Sequence, residues 1–195
     1  FLCSQKQILR DHHVILALET HFEFTTYELL RIFERCDTEP GDYLGICLDT
    51  MNLLTMLEDP LEATERILPW VVATHIKDGA LLMGQEGLIS FPTGIGEGCL
   101  QLGEIIDQLS KNSNPVNLSI EDHGGFFTIP IFDNSFLPKF PDLTITEFAR
   151  LMQTVALTEK LRKENRCQIT DREVWPNICE RRMIKNIKNL KRIVS

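Results

Sequence analysis

Residues of metal-binding type follow four short apolar runs in this sequence. Glu19 follows VILAL, Asp49 follows YLGICL, His75 follows WVVAT and Glu121 follows VNLSI. Carboxylate oxygens and an imidazole nitrogen are ligands of divalent cations such as Mn²⁺, Mg²⁺, Co²⁺ and Zn²⁺. A fold that brings these four side chains together would therefore offer a site for one such ion.

The apolar runs have the length and composition of buried strands. Runs of about five uncharged residues rich in β-branched side chains are typical of parallel sheets that helices cover on both faces. In such sheets the active site lies at the carboxyl ends of the strands. A single carboxylate after an apolar run is more often a helix cap or the start of a loop. Four residues at intervals of 30, 26 and 46 positions, which suit successive βα units, favour a shared site.

Five segments resemble those of a known family. LALETH, CLDTMNLL, THIKD, GIGEG and SIEDH, in that order between about residues 13 and 125, resemble the sugar-phosphate isomerase/epimerase family of xylose-isomerase-like (β/α)8 barrels. The resemblance implies an α/β fold of TIM-barrel type, in which the four runs are strands five to eight. It also implies one divalent metal ion, with Mn²⁺ expected first, bound by Glu19, Asp49, His75 and Glu121.

The resemblance implies a chemistry as well. In this family the metal holds the carbonyl and the adjacent hydroxyl oxygen of a sugar, which stabilises the enediolate formed when a proton leaves the neighbouring carbon. We expect Glu19 and Glu121 to be catalytic as well as metal ligands, one removing the proton and the other returning it.

Six further residues in these segments are predicted to contact the substrate: His21, Asn52, Lys77, Asp78, Glu97 and His123. Each histidine follows a glutamate by two positions, so it lies on the same side if the strand continues. For Asp78 a surface salt bridge is the alternative, and for Glu97 it is a contact with loop backbone. An indirect or merely exposed role is the alternative for the histidines.

Helix signals separate the apolar runs. Thr25 and Glu28 have the spacing of a capping box, and Asp59 before Pro60 is a predicted N-cap. Residues 79–99, with glycines at positions 84, 87, 94, 96 and 98, are predicted to be the longest active-site loop. A third helix is predicted from about Leu100, with a turn at Asn114 and Pro115 before the last strand.

The carboxyl-terminal part is expected to be helical. Thr144 and Glu147 predict the start of one helix, and residues 180–193 predict another with an apolar stripe at Ile184, Ile187, Leu190 and Val194. We predict a half-barrel domain over residues 1–126 and a helical extension over residues 127–195 that packs on it. The role of the extension stays open.

The number of strands is half of what a complete barrel needs. A (β/α)8 barrel has eight strands and about 250 residues, whereas four strands are predicted here. The expected explanation is that the first half of the barrel is missing from this sequence. Pairing of half-barrels into a homo-oligomer is the alternative, because open sheet edges otherwise favour aggregation.

Composition limits the classes of function. The chain has 195 residues, 43% of them hydrophobic, and a net charge of −8, which disfavours a nucleic-acid partner. It contains neither a long apolar run nor a signal-peptide pattern, so no membrane association and a cytoplasmic location are expected. The six cysteines form no C-x-x-C motif and are expected to be reduced.

Three functions are consistent with these patterns. The first is a metal-dependent isomerase or epimerase of a small sugar, keto-sugar or sugar phosphate. The second is a decarboxylase or lyase that acts on an oxo-sugar acid at the same site, because loss of CO₂ also supplies the enediolate electrons. The third is a half-barrel that binds a sugar-like ligand without turnover.

Overall fold

Short strands and helices alternate along the first part of the chain. The computed structural model describes residues 1–113 and 115–195, so Asn114, part of the predicted turn, lies outside the described residues. A 3-10 turn at Leu2–Gln5 leads into the first helix. The elements to the third strand are α1 (Lys6–Asp11), β1 (Leu16–Glu19), α2 (Thr26–Arg35), β2 (Leu44–Asp49), α3 (Asn52–Thr55), α4 (Pro60–Ile67) and β3 (Val71–Ile76).

Both predicted helix starts are confirmed. Thr25 and Glu28 form a capping box at the start of α2, in which each side chain bonds the backbone N–H of the other residue. The Asp59 carboxylate accepts the backbone N–H groups of Leu61 and Glu62 at the start of α4. These caps satisfy amides that the first helical turn leaves without partners, and so they fix where each strand-to-helix loop ends.

The remaining elements include a second, antiparallel sheet. They are β4 (Asp78–Met83), β5 (Leu88–Thr93), α5 (Leu102–Leu109), β6 (Ser119–Ile120), β7 (Phe127–Ile129), α6 (Ile145–Lys163) and α7 (Trp175–Val194). The described residues therefore form four strands of one sheet and three of another.

The main sheet is parallel, as the four apolar runs predict. Its strand order is β1-β2-β3-β6, so the sequence order is kept from one edge to the other. Every residue of β2 is buried, which agrees with a strand covered on both faces. In the register of the sheet Asp49 lies beside His75 and His75 beside Ser119, so the carboxyl ends of the strands share one edge.

The prediction of an irregular loop over residues 79–99 is wrong for most of its length. β4 and β5 pair as an antiparallel hairpin, and β7 pairs with the other side of β5. Gly87 has φ +149°, and a Cβ there would lie 2.3 Å from the Ile129 carbonyl oxygen. The glycines that indicated a loop are partly those of a tight hairpin turn. Only residues 94–101 leave the sheet without regular structure.

Helices cover both sheets. Leu102, Ile105, Ile106 and Leu109 of α5 are buried against the main sheet, as predicted. α6 packs on β4, and its Leu151 and Val155 share a buried cluster with Leu81 of β4 and Leu88 of β5. Among the described residues, none of the helices combines the length and the apolar character that a membrane crossing requires.

The carboxyl-terminal helices differ in detail from their predicted form. Thr144 caps α6 as expected, but the Glu147 carboxylate reaches Asp59 N–H and Arg66 instead of the cap. On α7, Leu190 is buried, while Ile184, Ile187 and Val194 remain largely exposed. The division of the chain after residue 126 stays a proposal; β7, directly after it, completes the small sheet.

One prediction about cysteine chemistry is wrong. Cys3 and Cys36 form a disulfide that ties the first turn of the chain to the end of α2. Cys47, Cys99, Cys167 and Cys179 are free thiols, as expected. The pairing follows from the packing of α1 beside α2, which the spacing of 33 residues does not reveal.

Candidate metal centre

The four predicted ligands meet at the carboxyl edge of the parallel sheet. Glu19 ends β1, Asp49 ends β2, His75 lies near the end of β3, and Glu121 directly follows β6. One ligand atom from each residue lies within 4.8 Å of the others. The convergence follows from the parallel register, because each side chain comes from the same end of its strand.

His75 lies between the two glutamates. Its Nδ1 atom is 3.1 Å from Glu19 Oε1 and 2.9 Å from Glu121 Oε2. Both glutamate side chains are partly exposed, so they face the opening above the sheet. One ring nitrogen can donate at most one proton, and two carboxylates converge on it. The acceptors thus outnumber the donors here, and a cation bound between them would balance this excess.

Lys77 brings a positive charge into the cluster. Its Nζ lies 2.8 Å from Asp49 Oδ2 and 3.1 Å from Glu121 Oε1, and both Lys77 and Asp49 are buried. Burial alone would lower the pKa of Lys77, but Asp49 and Glu121 outweigh it and raise that pKa above its usual value. Burial also raises the pKa of Asp49, which Lys77 only partly offsets. The three carboxylates and this ammonium group leave a net charge of −2 when all are ionised.

Three buried side-chain atoms at the site, Asp49 Oδ2 and both amide atoms of Asn52, lack hydrogen-bond partners among the described residues. Asp49 Oδ2 has the distance of an ion pair to Lys77 but not the angles of a hydrogen bond. Asn52 is 1% exposed, and neither its nitrogen nor its oxygen is bonded. Buried polar atoms are normally satisfied, so these atoms are available to a ligand. An oxygen-rich set with one imidazole and a charge of −2 fits a divalent cation.

A cavity of about 470 Å³ opens above these residues. His21, Asn52, Lys77 and His123, four of the six predicted substrate contacts, line it together with Glu19 and Glu121. The His21 ring bonds Glu23 at 2.9 Å, and the His123 ring lies 2.9 Å from the Gly124 carbonyl oxygen. These bonds orient the two imidazoles at the rim of the cavity.

The structure places the other two predicted substrate contacts elsewhere, which corrects the prediction. The Asp78 carboxylate is buried and accepts four backbone N–H groups, from Gly79, Gly96, Gly98 and Leu100, at 2.8 to 3.3 Å. Burial raises the pKa of Asp78 to about 6. Asp78 therefore holds the segment after β5 and does not line the cavity.

Glu97 also lies outside the cavity. Its carboxylate forms a close ion pair with Lys185 of α7, so neither a sugar contact nor the predicted alternative of a backbone contact describes it. This ion pair instead links α7 to the segment after β5, whose backbone amides donate to Asp78.

Sequence reasoning missed the aromatic and basic residues of the cavity. Arg172, just before α7, Trp175, its first residue, and Phe22 and Phe127 line it as well. The Phe22 and Phe127 rings stack 4.3 Å apart between their centroids. The excess of positive charge in the tail was the available signal, but charge alone does not identify the residues that reach the site.

The family can be assigned by comparison with known sequences. A sequence profile of xylose isomerase-like TIM barrels matches residues 5–131. This chain belongs to the xylose isomerase-like TIM barrel family. Membership confirms the predicted α/β fold class, and the four parallel strands are those of a partial barrel.

The matches between this chain and individual proteins each cover only part of the other protein. The 3-oxo-isoapionate decarboxylase of Pectobacterium atrosepticum is 32% identical over 114 residues, which are 57% of this chain and 40% of that protein. This chain therefore spans less than half of that curated relative.

Two crystal structures share the fold. A xylose isomerase domain protein from Planctomyces limnophilus is 21% identical, with a TM-score of 0.51, over 84% of this chain and 52% of its own. A xylose isomerase-like TIM barrel protein from Mycobacterium smegmatis in complex with magnesium is 20% identical, with a TM-score of 0.52, over 63% of this chain and 43% of its own. At these identities the likeness concerns the fold alone.

Proposed function

We propose that this chain carries the metal centre of an enzyme that isomerises or epimerises a small sugar, keto-sugar or sugar phosphate through an enediolate intermediate. The observation that carries the proposal is the convergence of Glu19, Asp49, His75 and Glu121 within 4.8 Å at the ends of four parallel strands. Strand ends are where enzymes of barrel type position their catalytic groups.

These four residues would hold one divalent cation. Mn²⁺ is the first candidate and Mg²⁺, Co²⁺ and Zn²⁺ are alternatives, because carboxylate and imidazole ligands accept all four. The net charge of −2 supports a divalent ion over a monovalent one. When bound, the cation supplies Lewis-acid chemistry by polarising neighbouring oxygens of the sugar.

Glu19 and Glu121 would move the proton. Both carboxylates approach the same His75 nitrogen, and both reach the cavity where the substrate carbon would lie. One carboxylate removes a proton from carbon, and the other delivers a proton to the neighbouring carbon or to the opposite face. A positioned acid or base contributes on the order of 10²–10⁴ in rate.

Other side chains of the cavity would orient the sugar. The unbonded amide of Asn52 offers both a donor and an acceptor to a hydroxyl pair. The Lys77 ammonium group lies 3.1 Å from Glu121 Oε1, so it helps to hold this carboxylate in position. His21 and His123 offer ring nitrogens at the rim.

A second candidate reaction is decarboxylation of an oxo-sugar acid. The specific observation in its favour is the 32% identity to 3-oxo-isoapionate decarboxylase over 114 residues. In this reaction the bond to the carboxylate breaks, its electron pair enters the enediolate, and CO₂ leaves. A carboxyl acid such as Glu19 or Glu121 then protonates the carbon.

The experiment uses protein loaded with Mn²⁺ and incubated in D₂O. Keto-pentoses test the first reaction through deuterium incorporation followed by NMR, and 3-oxo-isoapionate tests the second through CO₂ release. We expect one of these two signals in the parent protein. The same signal is expected in Glu65→Gln, an exposed control on α4, and a decrease of at least about 100-fold is expected in Glu121→Gln. Turnover of Glu121→Gln within a few-fold of the parent would refute the role of this glutamate.

A further inference from the structure

The segment that precedes α7 packs closely against the loop that follows Glu121 and connects β6 to β7. Gly125 N–H donates to the Thr170 carbonyl oxygen at 2.7 Å. A Cβ on Gly124 would lie 2.9 Å from the Asp171 carbonyl oxygen and from Trp175 Cβ, and Gly125 has φ +99°. Only glycine fits this close approach, so the two glycines fix the position of residues 170–175 beside the metal centre.

The packing of this segment against the two glycines places Arg172 in the lining of the cavity. A Cβ on Gly125 would lie 2.5 Å from Arg172 Nε, and the guanidinium group lies 5.8 Å from the centroid of the Phe127 ring. Phe127 and Arg172 both line the cavity that contains Glu19 and Glu121. The guanidinium group is thus within cation–π distance of this ring, and Arg172 as a whole is exposed to solvent.

Arg172 forms no ion pair within the part of the chain that the structure describes. No carboxylate there lies within ion-pairing distance of it, whereas Arg182 and Lys185 of α7 are paired. Arg182 bonds both oxygens of Asp122, at 2.7 and 2.8 Å, and Lys185 pairs with Glu97. Arg172 is thus a guanidinium group held in place without an anion, beside a cavity of substrate size.

The charges of the cavity indicate what this group would bind. With a divalent cation in place, the three carboxylates and Lys77 sum to zero, so Arg172 leaves a positive end. A guanidinium group binds carboxylates through two parallel N–H···O bonds. A phosphate site usually adds several backbone N–H donors, whereas a single guanidinium group suffices for a carboxylate, so we take a carboxylate as the ligand.

We propose that Arg172, supported by Phe127, forms a carboxylate subsite that selects sugar acids over neutral sugars at this centre. The inference deepens the proposed function, on whose metal centre it rests, and it favours the decarboxylation of an oxo-sugar acid. Arg172 would hold the end of the substrate that bears the carboxylate while the four ligand residues engage the carbonyl end.

The test compares three probes by isothermal titration calorimetry, with and without Mn²⁺. D-Xylonate carries a carboxylate, xylitol is its neutral counterpart, and D-xylulose 5-phosphate carries a phosphate. The proteins are the parent, Arg172→Met, Arg172→Lys and the control Arg181→Met, which removes an exposed arginine of α7 outside this cavity. Loss of a charge-assisted bidentate contact should weaken xylonate binding to Arg172→Met roughly tenfold or more.

The expected pattern is specific for charge. Xylitol binding changes less than twofold, Arg172→Lys lies between the parent and Arg172→Met, and Arg181→Met behaves as the parent. Equal losses for xylonate and xylitol, or no loss for xylonate, would overturn the subsite. A loss confined to xylulose 5-phosphate would also overturn it, since the group would then bind phosphate.

Failure of this inference and failure of the proposed function give different results. If the parent prefers xylonate through Arg172 but turns over neither keto-pentoses nor 3-oxo-isoapionate, the proposed reaction fails and the subsite stands. If the parent is active but Arg172→Met binds xylonate as the parent does, the subsite fails and the reaction stands.

Discussion

At the scale of the residue, Asn52 is the most informative side chain of the cavity. It is 1% exposed, and neither of its amide atoms has a hydrogen-bond partner among the described residues. A buried amide without partners costs stability, so its presence is explained by a ligand that bonds it. The family resemblance indicated this position as a substrate contact, but not that its amide is unsatisfied.

Replacing Asn52 by Leu tests this interpretation. Removal of the unsatisfied amide should leave the free energy of unfolding unchanged or raise it by about 1 kcal/mol, while affinity for xylitol falls about tenfold. Urea unfolding and calorimetry measure the two effects, with Asn134→Leu at an exposed position as the control. A loss of stability above about 2 kcal/mol would mean that the amide serves the fold instead.

The residue scale also shows the limits of pattern-based prediction. Glu19, Asp49, His75 and Glu121 could be found because one rule, a polar residue at the end of a buried strand, places them all. Asp78 follows the same kind of run, yet its side chain turns to backbone amides because β4 begins at that residue. Where the chain leaves β3 and begins β4, its direction changes, and the Asp78 side chain points elsewhere. The spacing of residues in the sequence does not indicate this change.

At the scale of the element, a buried charge cluster joins three helices. Glu58 accepts the Thr26 N–H at the start of α2 and pairs with Arg66 of α4 at 2.8 Å. Arg66 also contacts Glu147 of α6 and lies 3.8 Å from the centroid of the Tyr27 ring. The caps of these helices were predictable from adjacent residues, whereas this cluster joins positions up to 121 apart in the chain.

This cluster predicts a pH dependence of stability. Burial raises the pKa of Glu58 to about 7 from 4.5, so the folded state retains a proton that the unfolded state has released. The free energy of unfolding therefore falls as pH rises from about 4.5 to about 7 and levels off above it, by on the order of 3 kcal/mol from this group.

Urea unfolding at several pH values, in the parent and in Glu58→Gln, measures this contribution. The other titrating groups are common to both proteins, so the difference in slope belongs to Glu58. The account expects the decline between about pH 4.5 and 7 to be shallower in Glu58→Gln. Parallel curves for the two proteins would contradict the raised pKa.

At the scale of the whole molecule, the sequence predicted the main sheet and not the way the tail completes the cavity. Resemblance to the family extends to about residue 125, and the profile match ends at residue 131. The approach of Arg172 and Trp175 depends on the packing of residues 170–175 against Gly124 and Gly125. Contacts of this kind join distant segments through shape, which neither periodicity nor composition encodes.

The hairpin was missed for a related reason. The glycines between residues 84 and 98 and the long interval indicated an irregular loop, but the burial of Leu81, Leu88 and Phe91 depends on β7 and α6, which come much later in the chain. The strands of the main sheet were predicted because each carries an apolar run of its own, whereas the glycines of the hairpin concealed its strands.

The measurement that tests the account most directly is elemental metal analysis after loading with Mn²⁺ and desalting. It compares the parent, the double variant Glu19→Gln/Glu121→Gln, and the control Glu65→Gln/Glu159→Gln, whose glutamates are exposed and outside the cluster. The account predicts about one Mn²⁺ per chain in the parent and the control, and loss of the metal in the double variant, because two of four ligand residues lose their charge. A parent that retains no metal, or a double variant that retains as much as the parent, would contradict the assignment of a metal centre to these four strand ends.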